Sequence, residues 1–297
     1  MRKIIITGGT GLLGKYLIGS AEKEDIVVAT YLGEYEVKSL GNISYLKLDV
    51  LDREGYSRLF EEFRPNVVIH TASIGSPDYA EKFKEMTWKI NVESTRHIVS
   101  LCERYNSSVV FISSNGIYDG NNAPYGEDDE AKPVNYYGET KLEGELIAKK
   151  AKVNSAIVRP ILMYGWNNPF ERGNIVTTAL SQLKNNKRVA IYDDVYCNPL
   201  YAGNCAKAIW SIVNRDKYDV FNVAGGEIVN IYGLIRKAAE IFGLDTALID
   251  PVKQGYFNEL VPRPKDTSYK TKKMRELLGI VPETITQGLN NMKKEQK

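Results

Sequence analysis

The sequence predicts an α/β fold, in which a doubly wound parallel sheet is joined to a smaller C-terminal α/β lobe. Short apolar runs alternate with amphipathic segments along the first half of the chain, as strands and helices do in such a sheet. The apolar runs, such as Ile4-Ile5-Ile6, are continuous rather than alternating, which is typical of strands covered by helices on both faces. A chain of 297 residues is long enough to bury a sizeable core.

The helices and loops of the first half are recognised by their periodicity and their ends. Residues 12–24 carry apolar side chains at helical spacing, and Asp52 is a suitable N-cap for a helix that continues to about Glu62. Residues 114–134 are rich in Asn, Gly, Pro and Asp, so we expect an irregular loop there. The sequence predicts strands at 4–6, 26–31, 44–48, 67–69, 109–113 and 155–159, and helices at 12–24, 52–62, 86–105 and 136–150.

The pattern loosens beyond Gly165, where segments containing Asn and Pro interrupt it. We therefore divide the chain into a larger domain at residues 1–165 and a smaller lobe at residues 166–297. The boundary is soft, because segments of the second lobe could return to the first sheet. Within this lobe the sequence predicts helices at 175–184, 202–213, 231–242 and 271–278, and a strand at 220–223.

The composition argues against several classes of function. Lys and Arg total 39 against 37 Asp and Glu, a net charge of +2, which predicts no strong attraction to nucleic acid or to an anionic membrane. The three cysteines lack a C-x-x-C spacing and the two histidines lack a metal-ligand pattern, so we expect neither a disulfide framework nor a metal site. No apolar run is long enough for a signal peptide or a membrane span, which favours a soluble, cytoplasmic protein.

A glycine-rich segment, Thr7-Gly8-Gly9-Thr10-Gly11-Leu12-Leu13-Gly14, follows the first strand and opens the first helix. Gly8 permits a tight turn, Gly11 lets the backbone approach a pyrophosphate, and Gly14 lets the helix and strand pack closely. The helix N-terminus then presents free N–H groups to the phosphates. The segment therefore predicts a dinucleotide site and a Rossmann-type sheet in residues 1–165. A purely structural turn is the alternative, because the spacing is G-x-x-G-x-x-G rather than G-x-G-x-x-G.

The choice between NAD and NADP depends on the end of the second strand, where an acidic residue commonly binds the ribose hydroxyls of NAD. Thr30 and Tyr31 occupy that place, and no arginine follows that would hold the 2′-phosphate of NADP. The missing carboxylate removes a repulsive charge, so the sequence favours NADP slightly over NAD. Asp49, at the end of the third strand, is a candidate for the adenine side, or else it caps the turn that follows.

A second motif, Tyr137-Gly138-Glu139-Thr140-Lys141, places a tyrosine and a lysine on one face of a helix. A phenol is a poor acid or base at neutral pH, with an ordinary pKa of about 10, but a nearby ammonium favours the phenolate and can tune the phenol for proton transfer. Ser114, 23 residues before Tyr137 and at the end of the fifth strand, could hydrogen-bond the carbonyl oxygen that the tyrosine protonates. An exposed helix face is the alternative interpretation of the Tyr and Lys pair alone.

These residues together resemble the extended short-chain dehydrogenase/reductase family, in which the glycine motif, Ser114, Tyr137 and Lys141 occur in this order. The resemblance covers most of the chain and implies hydride transfer with NADP or NAD. Asn91 stands where the family has a helix asparagine that supports the active site through its backbone, whereas we interpret His70 as a packing residue. The implied cofactor contacts are Gly8, Thr10, Gly11, Leu12, Leu13, Gly14, Tyr31, Asp49, Val50, Thr71, Ala72, Ser73, Tyr137 and Lys141.

Within the family, residues 113–120, 124–127, 137–145 and 263–268 are similar to those of dTDP-4-dehydrorhamnose reductases. The likeness implies that Tyr137 protonates the C4 carbonyl of a nucleotide-linked 4-keto-6-deoxyhexose while the cofactor delivers a hydride, and that Lys141 lowers the tyrosine pKa. Val195, Leu200 and Asn115-Gly116 depart from the subgroup's usual residues, which leaves the exact sugar open. The expected catalytic residues are Ser114, Tyr137, Lys141 and Asn91, and the expected substrate contacts are Ser114, Asn115, Tyr137, Asn174 and Arg263, with Arg263 or Lys265 on the diphosphate.

The same fold and the same residues are compatible with other functions. A nucleotide-sugar 4-epimerase uses the same Ser, Tyr and Lys with tightly bound NAD. A 4,6-dehydratase is disfavoured, because Ser114-Asn115-Gly116 lacks the additional acid and base that follow in that branch of the family. The alternative that is not an enzyme is a regulatory subunit, like that of methionine adenosyltransferase. Homodimers are common in the family, so a homodimer is possible, although no segment identifies an interface.

Overall fold

The computed structural model describes residues 1–39 and 41–296 of the chain. Its strands are β1 Lys3–Thr7, β2 Ile26–Tyr31, β3 Ile43–Lys47, β4 Val67–His70, β5 Ser108–Ile112, β6 Ser155–Pro160, β7 Met163–Tyr164, β8 Val189–Tyr192, β9 Tyr196–Cys197, β10 Leu200–Tyr201, β11 Val220–Val223, β12 Val229–Asn230 and β13 Ile249–Val252. Its helices are α1 Leu12–Gly19, α2 Arg53–Phe63, α3 Pro77–Lys82, α4 Lys84–Trp88, α5 Ser94–Tyr105, α6 Tyr136–Lys149, α7 Ile175–Lys184, α8 Ala202–Asn214, α9 Ile231–Phe242, α10 Lys272–Leu278 and α11 Ile285–Lys294.

Seven parallel strands form the main sheet of the described chain, in the order β11-β6-β5-β4-β1-β2-β3. The strand order reverses between β1 and β4, and in open α/β sheets ligands bind at the carboxyl ends of the strands beside that point. The predicted doubly wound, Rossmann-type sheet is confirmed. Within the described residues, none of the helices is both long and apolar enough to cross a membrane.

The side chains of β1 show why the apolar runs are continuous. Ile4 and Ile6 pack into the larger hydrophobic cluster on one face of the sheet, and Ile5 packs into a second cluster on the other face. All three side chains are fully buried. A strand with both faces covered must be apolar at every position, which is the pattern from which the sheet was predicted.

Two predicted helices differ from the observed ones at their ends. Helix α1 stops at Gly19 rather than at residue 24, because the chain turns back so that Asp25 can accept hydrogen bonds from the Arg2 guanidinium at 2.6 and 2.9 Å. The helix expected at 86–105 begins at Lys84 with α4, and a π-helical turn at Lys89–Glu93 interrupts it before α5. The Asp52 cap of α2 is confirmed, since its side chain accepts from the Gly55 N–H at 2.9 Å.

The second half of the chain contributes to the main sheet as well as to a lobe of its own. Strand β11 pairs in parallel with β6, as in Val220 beside Ile157, so it extends the edge of the main sheet. The short strands β7, β8, β9, β10, β12 and β13 and helix α11 were not predicted, because segments of two to four residues carry too little periodicity and α11 lies beyond the last periodic stretch noted. The division at residues 165 and 166 remains a proposal.

Candidate active site

A cleft of about 1000 Å³ opens at the carboxyl ends of the central strands. It extends from the end of β2, past the glycine loop (residues 7–11), to the loop after β5 and to the second lobe. Most of the predicted site residues meet here, although they come from seven separate stretches of sequence. The predicted residues that line the cleft are Gly8, Thr10, Gly11, Leu12, Leu13, Gly14, Tyr31, Asp49, Val50, Thr71, Ala72, Ser73, Ser114, Asn115, Tyr137 and Arg263.

The glycine loop has the geometry that a dinucleotide requires. Gly8 adopts a left-handed backbone with φ of +68°, and a Cβ atom on Gly14 would lie 2.4 Å from the Gly8 carbonyl oxygen, so neither position tolerates a side chain. Gly11 is the N-cap of α1, and no side chain caps this helix within the described residues. The first N–H groups of α1 therefore remain available to an anion in the cleft, and the loop fits a pyrophosphate.

Thr7 fixes the loop that follows β4. Its hydroxyl accepts hydrogen bonds from the N–H groups of Thr71 and Ala72, both at 3.1 Å, and lies 2.8 Å from His70 Nδ1. Because the single hydroxyl proton must serve Nδ1, the network favours His70 protonated on Nε2, which lies 3.1 Å from Thr95 Oγ1. Burial lowers the His70 pKa to about 3, with the Lys141 charge adding to the effect. His70 is thus a buried neutral connector of β1, β4 and α5, outside the cleft lining.

Ser114 and Tyr137 both line the cleft, and both lie close to Gly116. The Ser114 hydroxyl accepts from the Gly116 N–H at 3.1 Å, which forms a short turn over Asn115–Ile117. The turn packs closely on α6, because a Cβ atom on Gly116 would lie 3.0 Å from the Tyr137 ring and one on Gly138 would lie 2.1 Å from the Gly116 oxygen. Asn115 lines the cleft as predicted, and its amide donates to Thr267 Oγ1 at 2.7 Å.

Lys141 lies beneath the cleft rather than in its lining. Its side chain is 2% exposed, and Nζ donates to the Ile112 carbonyl oxygen at 2.6 Å. Burial lowers the Lys141 pKa to about 8, partly opposed by the Glu145 charge. Burial raises the Tyr137 pKa and the Ser114 hydroxyl opposes the rise, so the lowering of this pKa by Lys141 stays a prediction. The ammonium is held on a backbone carbonyl, so desolvation of the phenol dominates.

Asn91 holds the loop after β4 through its side chain, and the backbone role that the resemblance implied stays a prediction. Its Oδ1 accepts from the Ile74 N–H at 2.8 Å, and its Nδ2 donates to the Ile74 oxygen at 3.1 Å and to Thr140 Oγ1 at 3.0 Å. Asn91 therefore connects the loop after β4 to α6, next to Lys141. It is buried and lies outside the cleft lining, within the π-helical turn.

Two predicted substrate contacts have other partners in the structure. Asn174 does not line the cleft: its Oδ1 caps α7 through the Val176 and Thr177 N–H groups, and its amide donates to Gly165. Arg263 lines the cleft but is paired with carboxylates of Asp78 at 2.8 Å and Glu259 at 2.6 Å. A diphosphate would have to compete with these carboxylates. Asp49 lines the cleft and also accepts from the Leu51 N–H at 2.9 Å, so both interpretations of this residue are compatible with its position.

A buried ion pair behind the active site was missed by the sequence analysis. Arg159 donates to both oxygens of Glu145, at 2.8 and 2.7 Å, and neither residue is more than 2% exposed. Ser113 donates to Glu145 at 2.6 Å, and the Tyr118 hydroxyl accepts from Arg159 at 2.8 Å. The pair fixes the chain on both sides of Ser114. The available signal was Glu145 itself, one turn after Lys141 on α6.

Three further residues at the outer end of the cleft were also missed. Glu171 accepts hydrogen bonds from Thr10 Oγ1 at 2.7 Å and from the Tyr35 hydroxyl at 2.5 Å. The Phe170 ring stacks on the Tyr35 ring with centroids 3.6 Å apart. All three line the cleft. No local pattern marks them, because Glu171 and Thr10 are 161 residues apart in sequence.

Comparison with known proteins gives a consistent result. A family model described as the RmlD substrate binding domain matches residues 1–297. A dTDP-4-dehydrorhamnose reductase from Aggregatibacter actinomycetemcomitans is 26% identical over 99% of both chains, and methionine adenosyltransferase 2 subunit beta from Danio rerio is 25% identical over 95% of this chain and 87% of its own. The crystal structure of dTDP-4-dehydrorhamnose reductase from Bacillus anthracis in complex with NADP has the same fold, with a TM-score of 0.87, 23% identity and 99% of both chains covered.

Proposed function

Because the chain belongs to the RmlD substrate binding domain family, we propose that it is an NAD(P)H-dependent oxidoreductase of the short-chain dehydrogenase/reductase type. Its substrate would be a nucleotide-linked 4-keto-6-deoxyhexose, in line with the reductase name of its Aggregatibacter relative. The observation that carries the proposal is the meeting of Ser114, Tyr137 and the glycine loop in one cleft. The NADP held by the Bacillus anthracis protein of the same fold supports a dinucleotide in this cleft.

The residues that would hold the dinucleotide follow from the cleft lining. The free N–H groups of α1 and the open backbone at Gly11 suit the pyrophosphate, and Asp49 and Val50 suit the adenine side. Thr71, Ala72 and Ser73 flank the path toward Tyr137. A bound reduced nicotinamide would supply a hydride to the substrate carbonyl carbon.

The protein's own groups would supply and place the proton. The Tyr137 hydroxyl would protonate the C4 carbonyl oxygen, so that its O–H bond breaks as the new alcohol O–H bond forms. The Ser114 hydroxyl would donate a hydrogen bond to the same oxygen and orient it. The Lys141 ammonium, one helical turn along α6, would stabilise the phenolate left on Tyr137. The raised Tyr137 pKa keeps the phenol protonated before the reaction.

The sugar nucleotide would lie between the two lobes. Arg263 would hold its diphosphate through the guanidinium fork, after exchanging Asp78 or Glu259 for phosphate oxygens. Asn115 and Thr267, hydrogen-bonded to each other across the lobes, stand beside Ser114 and suit contacts with the sugar hydroxyls. Asn174 is a weaker candidate, because its side chain already caps α7.

A regulatory subunit is the second candidate. The observation that favours it is the similarity to methionine adenosyltransferase 2 subunit beta, which extends over 95% of this chain. The intact Ser114, Tyr137 and Lys141 favour an enzyme. Stable association with a second protein, together with absence of turnover, would favour the regulatory role.

Substitution of Tyr137 by Phe tests the enzymatic proposal. Tyr137→Phe removes the proton donor and keeps the ring that packs on Gly116, so we expect kcat to fall by roughly 10²–10⁴-fold while the Kd for the dinucleotide stays nearly the same. Tyr136→Phe is the matched control, since Tyr136 is the neighbouring tyrosine and does not line the cleft. Turnover within about tenfold of the wild type would remove Tyr137 from its assigned role.

The assay for this test follows the absorbance of reduced nicotinamide while nucleotide-linked 4-keto-6-deoxyhexoses are added, with NADH and NADPH in parallel. Consumption of either cofactor would support the reductase. Oxidised NAD released from the denatured protein, without consumption, would favour the epimerase. No consumption and no bound cofactor would favour the regulatory subunit.

A further inference from the structure

A segment of the second lobe, residues 166–172, lies across the outer end of the cleft; we call it the strap. Asn168 Nδ2 donates to the Thr10 carbonyl oxygen at 2.7 Å, and Lys15 Nζ donates to the Trp166 carbonyl oxygen at 2.8 Å. The Phe170 ring stacks on Tyr35. The strap is therefore attached to the glycine loop and to α1 at several points.

The strap places one carboxylate, that of Glu171, at the glycine loop. Glu171 Oε1 accepts from Thr10 Oγ1 and from the Tyr35 hydroxyl. Next to Thr10, the Gly9 N–H donates to the Thr30 carbonyl oxygen at 2.8 Å, at the end of β2. The carboxylate thus lies where the glycine loop meets the end of β2. Dinucleotide folds commonly place there the acid that binds the ribose hydroxyls.

We propose that Glu171 replaces the acid missing from the end of β2, and that it selects NAD(H) over NADP(H). Its carboxylate would accept hydrogen bonds from the two ribose hydroxyls of NAD(H) and would repel the 2′-phosphate of NADP(H). The inference rests on the proposed function, because it requires a nicotinamide dinucleotide in this cleft. The Glu171 carboxylate also supplies the negative charge that Thr30 and Tyr31 lack, and the absence of that charge was the reason why the sequence favoured NADP.

The hydrogen bonding of Glu171 leaves room for the ribose. Both donors from the protein, Thr10 and Tyr35, use Oε1, and Oε2 has no hydrogen-bond donor among residues 1–39 and 41–296. An ionised carboxylate offers several acceptor positions on each oxygen. Hydrogen bonds from ribose hydroxyls to a carboxylate are charge-assisted. NAD(H) keeps both hydroxyls and would bind more tightly through them than NADP(H), whose 2′ oxygen carries a phosphate.

The charged side chains that line the cleft also favour NAD(H) over NADP(H). Among the lining residues, the charged side chains are Asp49, Glu171 and Arg263. Asp49 and Glu171 stand at the adenosine end, whereas Arg263 pairs with Asp78 at the substrate end. A 2′-phosphate, which carries up to two negative charges, would meet two carboxylates and no arginine of the lining. An arginine near the ribose is the usual means of accommodating that phosphate.

Direct binding measurements test the inference without turnover. The Kd values of NADH and NADPH are measured on the full chain by nicotinamide fluorescence, and AMP and adenosine 2′,5′-bisphosphate serve as competitors that report the adenosine end alone. We expect NADH to bind about tenfold more tightly than NADPH or better, and AMP to compete better than the bisphosphate.

The variant Glu171→Gln removes the charge and keeps the shape. We expect it to tighten NADPH binding by about tenfold, while NADH binding stays equal or weakens. Glu34→Gln is the matched control: it changes the net charge equally in the nearby loop, but Glu34 is 91% exposed, pairs with Lys47 and does not line the cleft. The control should leave both Kd values unchanged.

Four results would overturn the inference. Tighter binding of NADPH than of NADH by the wild type would contradict it directly. An equal gain for both dinucleotides in Glu171→Gln would show that Glu171 only fastens the strap. Equal Kd values with normal turnover would remove the inference and leave the proposed function intact, whereas failure to bind either dinucleotide would remove both.

Discussion

At the scale of single residues, burial determines the protonation states around the cleft. It raises the Tyr137 pKa, lowers the Lys141 pKa to about 8 and lowers the His70 pKa to about 3. In each case desolvation disfavours the charged form of the side chain. Tyr137 and His70 are therefore neutral at pH 7, while Lys141 keeps its charge by a narrow margin. The proposed role of Lys141 therefore makes activity sensitive to a modest rise in pH.

The Lys141 pKa of about 8 lies close to neutral pH, and it predicts a pH dependence of activity. Above about pH 8 the ammonium loses its proton and no longer stabilises the Tyr137 phenolate, so kcat/KM for the reduced dinucleotide should fall, by about tenfold per pH unit at most. The measurement is a pH profile of kcat/KM from pH 6 to pH 10. In Lys141→Arg the charge persists over this range, so the decline near pH 8 should disappear even if the rate is lower.

The titration of Lys141 does not itself cause unfolding in this pH range. Between about pH 8 and the ordinary lysine pKa of 10.5, the unfolded chain binds the Lys141 proton and the folded chain does not. This group therefore makes the free energy of unfolding rise with pH in that window. A kcat/KM that stays level up to pH 10 would show that the Lys141 charge has no part in the rate.

At the scale of elements, the contact between the glycine loop and α1 determines the shape of the dinucleotide end. Gly8 turns the chain with a positive φ, and Gly14 brings α1 against the loop. The N-terminus of α1 thereby faces the cleft without a side-chain cap. Helix α6, in contrast, has a side-chain cap. Asn135 Oδ1 accepts from the Gly138 N–H, and the Asn135 amide donates to the Pro262 carbonyl oxygen in the second half of the chain.

The two glycines of α1 make a matched pair of substitutions. Gly14→Ala would place a Cβ atom 2.4 Å from the Gly8 oxygen, and we expect it to lower the free energy of unfolding by about 1–3 kcal/mol and to weaken dinucleotide binding. Gly19→Ala meets no atom within 4 Å, and the better helix propensity of Ala should leave stability unchanged or raise it by up to about 1 kcal/mol.

Urea unfolding of both variants, with a dinucleotide titration, provides the measurement. Similar losses of stability in Gly14→Ala and Gly19→Ala would contradict the argument, because helix propensity would then outweigh the close approach at Gly14.

At the scale of the whole molecule, the second half of the chain completes the core of the first. Strand β11 extends the main sheet beside β6, and α8 packs on α1, with Trp210 Nε1 donating to the Leu17 oxygen at 3.0 Å. Phe221 of β11 is fully buried. Residues 1–165 and 166–297 therefore share hydrophobic surface, and residues of both parts line the cleft.

This shared core predicts that residues 1–165 do not fold as an isolated domain. A fragment ending at residue 165 loses β11 and α8, which leaves the edge of β6 and the apolar face of α1 exposed to water. We expect the fragment to aggregate or to lack fixed tertiary structure, as judged by near-UV circular dichroism beside the full chain. A monomeric fragment that binds dinucleotide would contradict this and would support the division at residue 165.

Most of the fold and site predictions came from local sequence patterns. The apolar runs fixed the strands β1, β2, β4, β5, β6 and β11, because a strand covered on both faces must be apolar throughout. The glycine spacing identified the loop, since its backbone geometry depends on adjacent residues. The order of Ser114, Tyr137 and Lys141 identified the family, and the match of the family model to residues 1–297 confirms that resemblance.

Long-range contacts determined the rest. The sequence by itself established the sheet, the glycine loop and the candidate proton donor, because each depends on neighbouring residues. Only the tertiary structure revealed that Asn91 joins Ile74 to Thr140, that Arg263 faces two carboxylates, and that Glu171 returns to Thr10 across 161 residues. Apart from Glu259, which is four residues before Arg263, these partners come from segments that are distant in sequence. How such segments pack together decides the pairing, and no local periodicity records that packing.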